Sequence, residues 1–402
     1  MTIIKQGIIY LIGEILSKSI PFLMLPYFTR TLGSEGYGEI SIYQTAILLM
    51  VIFISLSQEG AISRYYFRYG KLSLGNLFLA GTLYNSIITF LIIIVILYTE
   101  LSIPIELVLI ASLQSLISVQ LAINQCQKKA FRYLIIQILN ATVVNFLILF
   151  LFEKLGNSTI DGWIDANLYG YIFMAFISIV FNKKLLAIKK FHIKTIRLYL
   201  IYLFSFGIPI IIHQISSFIR GHFDKILIAE RFNMEMLGEY SIALQIASVI
   251  SVAYMALNKA MLPYYFEWLK KEKENVKKIK CGAVKLLGCF IIPVFINFIP
   301  YNVYNYILGI TFTNIKYYIL IFSIGFSFLP IYLLLVNYLF FLGKTFWISF
   351  SSVLSSLIYI LCVWFFGALS IKYIPYAMVL GNITLIFILY IIIFHQKTYK
   401  RI

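Results

Sequence analysis

Long apolar runs recur along the whole chain, and they constrain the fold more than any other feature of the sequence. Hydrophobic residues make up 61% of the 402 residues and charged residues 12%, whereas a soluble domain has about 45–50% and about 25%. A helix of about 20 apolar residues can cross about 30 Å of hydrocarbon. The runs are too long and too continuous for the alternating strands of a membrane β-barrel. We therefore predict an all-α, polytopic membrane protein.

The runs predict about 12 transmembrane helices, six on each side of a basic break. Their approximate limits are 6–28, 40–63, 74–98, 102–125, 132–153, 162–182, 198–220, 238–262, 281–299, 315–341, 346–367 and 373–394. We predict an N-terminal six-helix lobe at 1–182, a basic cytoplasmic linker at 183–197 and a C-terminal six-helix lobe at 198–402. The linker and a second basic segment at 269–280 are either interfacial helices or solvated loops.

The distribution of positive charge predicts the topology. The net charge is +17, from 33 Lys and Arg residues and 16 Asp and Glu residues. Of the 33, 24 lie at the termini and in the even-numbered loops, and 7 lie in the odd-numbered loops. The positive-inside rule then places both termini in the cytoplasm, and we predict a multi-pass membrane protein with that orientation. No soluble basic domain is present to bind nucleic acid, so we expect no nucleic-acid partner.

A short motif occurs twice, about 200 residues apart. The sequence GEISI at 38–42 returns as GEYSI at 238–242, and YYF at 65–67 returns at 264–266. Because six spans separate the copies, both halves enter the membrane from the same side, as in a parallel repeat. Two similar halves buried in a bilayer favour a transporter, because many transporters bind their substrate between repeats.

A polar stripe follows one face of the seventh predicted span. His213, Ser217, Arg220 and Asp224 are spaced by four, three and four residues, and Gln214 flanks them. Such spacing places the side chains on one side of a helix. Lipid cannot solvate them, so the stripe either lines a transport path or contacts a polar partner helix.

Further charges fall inside predicted spans or at their ends. Glu14 and Lys18 lie four residues apart in the first span. They are either a mutually neutralising pair or a functional pair in which Lys18 binds an anion and Glu14 holds it or exchanges a proton. Glu59 and Lys259 occupy equivalent repeat positions near predicted cytoplasmic ends, where long side chains reach the interface. Lys285 lies deeper, and it either extends to the interface or faces a cavity.

Several kinds of chemistry have no signature in the sequence. The chain lacks a GxxxxGK[ST] phosphate-binding loop, an HExxH motif and a CxxC motif, and it has only four Cys and four His residues. We therefore expect no nucleotide site, no metal site and no resident cofactor. The short predicted external loops and the lack of a clustered acid–base site argue against an enzyme.

Two segments resemble the bacterial polysaccharide flippases of the Wzx family. The segment 18–38 contains the family's P-x4-P-x3-R-x-L-G-x-x-G-x-G pattern, from Pro21 to Gly38. The segment 206–225 is similar to the opening of the family's second half, and the run G-x-Y-S-x-A-x-Q follows at 238–245. The resemblance covers the whole chain in length, span number and repeat.

The resemblance implies a fold and a function. Wzx proteins belong to the multidrug/oligosaccharidyl-lipid/polysaccharide superfamily, which has two six-helix lobes around a central cavity. The implied activity is movement of undecaprenyl-diphosphate-linked oligosaccharide, a repeat unit of O-antigen (lipopolysaccharide) or capsule, from the inner to the outer leaflet by alternating access. An H⁺ or Na⁺ gradient or the membrane potential would drive it. Membrane lipids, a polysaccharide polymerase and a chain-length regulator are the implied partners.

A diphosphate in a medium of low dielectric requires cationic partners. The candidate cations are Lys18, Arg30, Arg220, Lys225, Lys259 and Lys285. The candidates for polar cavity lining or ion coupling are Glu14, Glu59, His213, Gln214, Ser217 and Asp224.

Two alternative functions remain open. The first is a MATE-like ion-coupled antiporter for organic cations, which the cationic balance of the in-span charges disfavours. The second, of another class, is a membrane polymerase, ligase or acyltransferase acting on polysaccharide.

Overall fold

The structure is a computed structural model that describes residues 3–71, 73–154, 156, 158–183, 193–271, 276–309 and 312–395. Within these ranges, side chains are described except for residues 3–11, 14, 193–195, 260, 263, 276–277, 345 and 394–395. Most of the predicted linker at 183–197 and part of the basic segment at 269–280 therefore lie outside the described residues.

The regular structure of the described residues is entirely helical. The α-helices are α1 (Ile3–Leu23), α2 (Leu25–Ser55), α3 (Gln58–Tyr69), α4 (Leu74–Thr99), α5 (Ile105–Cys126), α6 (Ala130–Lys154), α7 (Ile160–Asn182), α8 (Ile193–Arg231), α9 (Met234–Lys271), α10 (Val276–Lys285), α11 (Ile291–Asn297), α12 (Tyr301–Leu308), α13 (Ile315–Ser327), α14 (Leu329–Phe341), α15 (Thr345–Leu369) and α16 (Pro375–His395). Short 3₁₀ helices are formed by Leu286–Phe290 and Ile371–Tyr373.

The predicted membrane-spanning helices are confirmed for most of the chain. Eleven helical segments of the described residues are long and apolar enough to cross a membrane, and they coincide with the second to twelfth predicted spans. The first predicted span, 6–28, falls on α1, whose first side chains are not described. The all-α membrane fold is therefore correct.

The predicted loop between the first two spans is wrong. Residues 29–39 are helical and belong to α2, which begins at Leu25 with a proline in its first turn. A proline is well tolerated there because that N–H has no partner within the helix. The one break is Gly33, whose backbone has φ 72° and ψ −172°, a conformation that favours glycine. A polar, glycine-rich sequence that is typical of a loop therefore forms two helical segments joined at Gly33.

The chain forms two compact units, and two helices contribute to both. The first unit comprises Met1–Met24 and Ile42–Ile215, and the second comprises Leu25–Ser41 and Ser216–Ile402. One boundary falls between α1 and α2, a second within α2 and a third within α8. They differ from the predicted lobes because 25–41 groups with the second unit and 198–215 groups with the first. A division into six helices per lobe stays a prediction.

Each unit has its own apolar core. In the first, Leu77 and Leu203 are fully buried in a cluster formed by α3, α4, α5 and α8, and the amide of Gln58 donates to the carbonyl of Gly81 at 3.0 Å. In the second, Leu269 and Leu339 are fully buried in a cluster that α9, α14 and α16 share. Burying a large aliphatic side chain contributes about 1.5–3 kcal/mol, so these clusters fix the packing of the helices around them.

The two copies of the repeated motif contact each other inside the second unit. A Cβ atom added to Gly38 would overlap the carbonyl oxygen of Met234, and one added to Gly238 would overlap that of Ser34. The hydroxyl of Ser41 donates to that of Ser241 at 2.8 Å. The two backbones therefore touch at the same position of each copy, which only glycine permits.

We predict that Gly238→Ala destabilises the protein while Gly221→Ala does not. The added methyl at Gly238 has no space and must separate α2 from α9, at a cost of about 1–3 kcal/mol or more. Gly221 lies in α8 with no atom within 4 Å of an added Cβ, and alanine there favours the helix. Thermal unfolding of the detergent-purified variants measures both effects. Equal melting temperatures for wild type and Gly238→Ala would contradict the packing described.

Candidate functional site

A cavity of about 300 Å³ lies within the second unit, among helices α8, α9, α13, α14 and α16. Most of its wall is apolar and aromatic. Its lining residues are Arg220, Ser251, Met255, Gly325, Phe326, Phe328, Leu329, Tyr332, Met378, Asn382 and Leu385. A largely apolar wall with a few polar groups is typical of a ligand pocket.

Arg220 of α8 is the charged member of this lining. Its Nη2 donates to the hydroxyl of Ser352 at 2.7 Å, which anchors the side chain to α15. Its Nε atom is buried and, among the described residues, has no hydrogen-bond partner. Arg220 is half-buried, and a buried donor atom without a partner is costly in a membrane helix. An anion in the cavity would offset that cost, because a guanidinium binds phosphate and carboxylate oxygens in a fork.

Ser352 belongs to a buried hydroxyl face on α15. Ser351, Ser352, Ser355 and Ser356 are all buried, at a spacing that places them on one side of the helix. The hydroxyl of Ser355 donates to the carbonyl of Gly381 at 2.9 Å, so part of the face ties α15 to α16. The serine periodicity is visible in the sequence and would have pointed to the partner of Arg220.

Asp224, one turn after Arg220, is the centre of a buried hydrogen-bond network. The Tyr240 hydroxyl donates to its Oδ2, the Lys225 backbone N–H donates to its Oδ1 at 2.9 Å, and the Tyr359 side chain also bonds to it. Asp224 is only 3% exposed. Three donors satisfy the carboxylate, as burial of a charge requires. The arrangement ties α8 to α9 and α15.

Arg30 donates hydrogen bonds to backbone carbonyls at the end of α12. Its Nη2 donates to the carbonyls of Tyr306 at 2.9 Å and Ile307 at 3.3 Å, and Thr29 donates to the carbonyl of Leu308 at 2.8 Å. These are the last carbonyls of α12, which ends at Gly309 with φ 74°. A cation at a helix C-terminus satisfies unpaired carbonyls and interacts favourably with the helix dipole. This contact favours a structural role for Arg30.

The other predicted residues are dispersed over the two units. Exposed side chains in the described part of the chain include Lys18, His213, Ser217, Lys259 and Lys285, and half-buried ones include Glu59, Gln214 and Lys225. The side chain of Glu14 lies outside the described residues. Buried oxygens of Glu59 and Gln214 lack a hydrogen-bond partner among the described groups. Of the twelve predicted residues, the cavity lining includes Arg220, with Asp224 and Lys225 one turn along the same helix.

Sequence reasoning missed the residues that surround Arg220 and Asp224. Tyr332 lines the cavity beside Arg220, and Tyr359 lies on α15 beside Asp224. Because the chain has 30 tyrosines, no sequence signal distinguishes Tyr332 or Tyr359 from the others. Tyr240 did have a signal, because it lies inside the repeated motif.

We predict that Arg30→Gln loosens α12 without affecting α5. Loss of the charged donor leaves the Tyr306 and Ile307 carbonyls without their arginine partner, and an exposed cation at a helix C-terminus contributes about 0.3–1 kcal/mol. Deuterium uptake of the segment 301–309 should rise in hydrogen-exchange mass spectrometry, while that of 105–126 stays unchanged. Lys18→Gln is the matched control and should alter neither segment. Unchanged uptake at 301–309 in Arg30→Gln would contradict the capping role.

Comparison with known proteins identifies the family. Residues 3–269 match the family model described as "Polysaccharide biosynthesis protein". A protein of the Lsg locus of Haemophilus influenzae is 41% identical over 392 residues, covering 97% of this chain and 98% of that protein.

Solved structures with the same fold are transporters of low sequence identity. An inward-facing multidrug resistance MATE family transporter of the MOP superfamily is 15% identical, with a TM-score of 0.71 and 92% of each chain covered. A MOP superfamily transporter from Pyrococcus furiosus, described as having a binding pocket of reverse polarity, is 13% identical, with a TM-score of 0.62 and coverage of 96% of this chain and 93% of that one. The protein has the MOP-type membrane fold and belongs to the polysaccharide biosynthesis protein family.

Proposed function

We propose that this protein is a flippase for lipid-linked oligosaccharides. Its substrate would be an undecaprenyl-diphosphate-linked repeat unit of O-antigen, capsule or a similar polymer, moved from the inner to the outer leaflet by alternating access. The family supports a role in polysaccharide biosynthesis, and the fold likeness supports transport rather than catalysis. The observation that carries the proposal is Arg220, a half-buried cation at a cavity inside the membrane-spanning region, whose buried Nε has no hydrogen-bond partner among the described residues.

The electrostatics of the cavity suit an anionic group. The wall around Arg220 is uncharged, so the field of the guanidinium is poorly screened. A diphosphate carries several acceptor oxygens, which fit the fork of arginine better than a single ammonium. The aromatic side chains Phe326, Phe328 and Tyr332 also line the cavity and offer faces on which sugar rings or prenyl groups can pack.

The energy source and the setting are part of the same proposal. Because the sequence has no nucleotide-binding motif, an H⁺ or Na⁺ gradient or the membrane potential would drive transport. Asp224 is the best-placed carboxylate for ion coupling because it lies one turn from Arg220. The protein would lie in the inner membrane with both termini in the cytoplasm. A polysaccharide polymerase and a chain-length regulator would act on its product.

A MATE-like antiporter is the second candidate. The fold likeness to multidrug transporters favours it, and the buried Asp224 is the kind of group that binds a cation. Against it, the charged group that lines the described cavity is Arg220, which repels organic cations.

We predict that Arg220→Ala and Lys18→Ala lower surface polymer by about tenfold or more while the protein stays in the membrane. Loss of a charged hydrogen-bond partner costs about 1.5–3 kcal/mol, and 1.4 kcal/mol corresponds to a factor of ten. Complementation of a deletion strain, with surface polymer and membrane-protein level both measured, tests this. Arg231→Ala is the matched control, because Arg231 lies at the end of α8 over the ring of Trp364 and outside the cavity lining.

The alternatives give different results in the same strains. Accumulation of complete repeat units on the cytoplasmic face of the deletion strain supports a flippase. Single units that reach the outer leaflet unpolymerised would indicate a polymerase or ligase. Unchanged lipid-linked sugars together with drug sensitivity would indicate an exporter. Full activity of both Arg220→Ala and Lys18→Ala would reject the site assignment.

A further inference from the structure

A second cavity, of about 520 Å³, lies entirely within the first unit. It is formed where the turns after α3, α5 and α7 meet, and it is open to the surface. Its lining residues are Tyr66, Lys71, Gln127, Lys129, Arg132, Val180, Phe181, Asn182 and Lys183. No part of the proposed transport function uses this cavity.

Among the described residues, the lining contains four cations and no acidic residue. Lys71, Lys129, Arg132 and Lys183 come from three different turns of the chain and converge on one space. Like charges held close together disfavour one another. Partial burial and the charges of Arg132 and Lys71 lower the pKa of Lys129, in keeping with the convergence of these side chains on one space. A bound anion would relieve this repulsion.

Backbone groups position two of the four cations, Lys129 and Arg132. Lys128 adopts φ 58° in the turn between α5 and α6, and the Lys129 N–H donates to the carbonyl of Asn124 at 3.0 Å. Arg132 is anchored by a bond from its Nη1 to the carbonyl of Phe181 at 3.3 Å. Two of the four cations therefore belong to a fixed turn and a fixed helix–helix contact, which is how a preorganised binding site is built.

The remaining lining suits a lipid headgroup better than a free ion. Val180 and Phe181 expose 44% and 39% of their surface at the end of α7, beside the cations. Asn182 is 3% exposed, and its Oδ1 is buried without a hydrogen-bond partner among the described residues. An apolar wall accepts an acyl chain, and an unused acceptor suits a hydroxyl or amine next to a phosphate. A free phosphate ion would use neither the apolar wall nor the unused acceptor.

We propose that this cavity binds the phosphate of an anionic membrane lipid. All four cations lie in loops that the positive-inside rule assigns to the cytoplasm, where the leaflet carries anionic headgroups. Basic pockets between membrane helices on that side are suited to such headgroups. Undecaprenyl diphosphate carries the same phosphate chemistry, so the test must separate a bulk phospholipid from this second source.

The test is lipid binding by the purified full-length chain. Wild type and Lys129→Gln/Arg132→Gln are placed in phosphatidylcholine nanodiscs, and binding of added phosphatidylglycerol or undecaprenyl diphosphate is measured by native mass spectrometry and by the shift in melting temperature. Lys128→Gln/Lys154→Gln is the matched control, because it removes the same charge and Lys128 shares the turn with Lys129 outside the lining. Lys129→Arg/Arg132→Lys keeps the charge and should keep binding, which separates loss of the site from misfolding.

We expect phosphatidylglycerol to bind the site variant about thirtyfold more weakly than wild type at low salt, since two basic residues at about 1 kcal/mol each correspond to that factor. The control should match wild type. Loss of undecaprenyl diphosphate binding alone would support the phosphate site and identify the transported lipid as its source. Equal binding of both lipids to wild type and the site variant would overturn the proposal. Surface polymer in the Arg220 variants tests the transport function separately.

Discussion

The close contact between Gly38 and Gly238 is the constraint on which the second unit depends. Because neither residue has a side chain, the backbones of α2 and α9 touch, and Ser41 and Ser241 bond across the contact at 2.8 Å. This contact holds the first part of α2 against the C-terminal half of the chain, although 200 residues separate the two glycines. Small residues at such a crossing replace the hydrophobic driving force that is absent between helices in lipid. The first role of the repeated motif is therefore to pack α2 against α9.

Charged side chains in the membrane-spanning region of the second unit have two kinds of environment. The carboxylate of Asp224 is satisfied by Tyr240, Tyr359 and a backbone N–H, and Arg30 donates from its Nη2 to carbonyls at the end of α12. Arg220 is different, because its buried Nε lies beside a cavity and has no partner among the described residues. A satisfied charge stabilises the helix packing, whereas a partly satisfied one is costly until a ligand arrives. That difference is the physical basis for assigning ligand binding to Arg220.

Much of the fold could be predicted from the sequence, and less of the site. Apolar runs located eleven described spans because the bilayer sets their length. The error at 29–39 arose because Gly33, Gly36 and Gly38 are typical of a turn, whereas here Gly38 permits helix contact. The span 7 stripe drew attention to Arg220, which donates to Ser352, whereas two other members, His213 and Ser217, are exposed. The partners of Arg30 lie 276 and 277 residues away, and no local pattern predicts which distant carbonyls an arginine reaches.

The proposed activity, transfer of an undecaprenyl-diphosphate-linked oligosaccharide across a bilayer, can be measured directly. The most direct measurement reconstitutes the purified protein in vesicles that contain this lipid and follows, with an impermeant sugar-modifying reagent, how much becomes accessible from outside. We predict transfer faster than in protein-free vesicles, abolished by Arg220→Ala and retained by Arg231→Ala. Transfer no faster than in protein-free vesicles, under any imposed H⁺ gradient, Na⁺ gradient or membrane potential, would contradict the account.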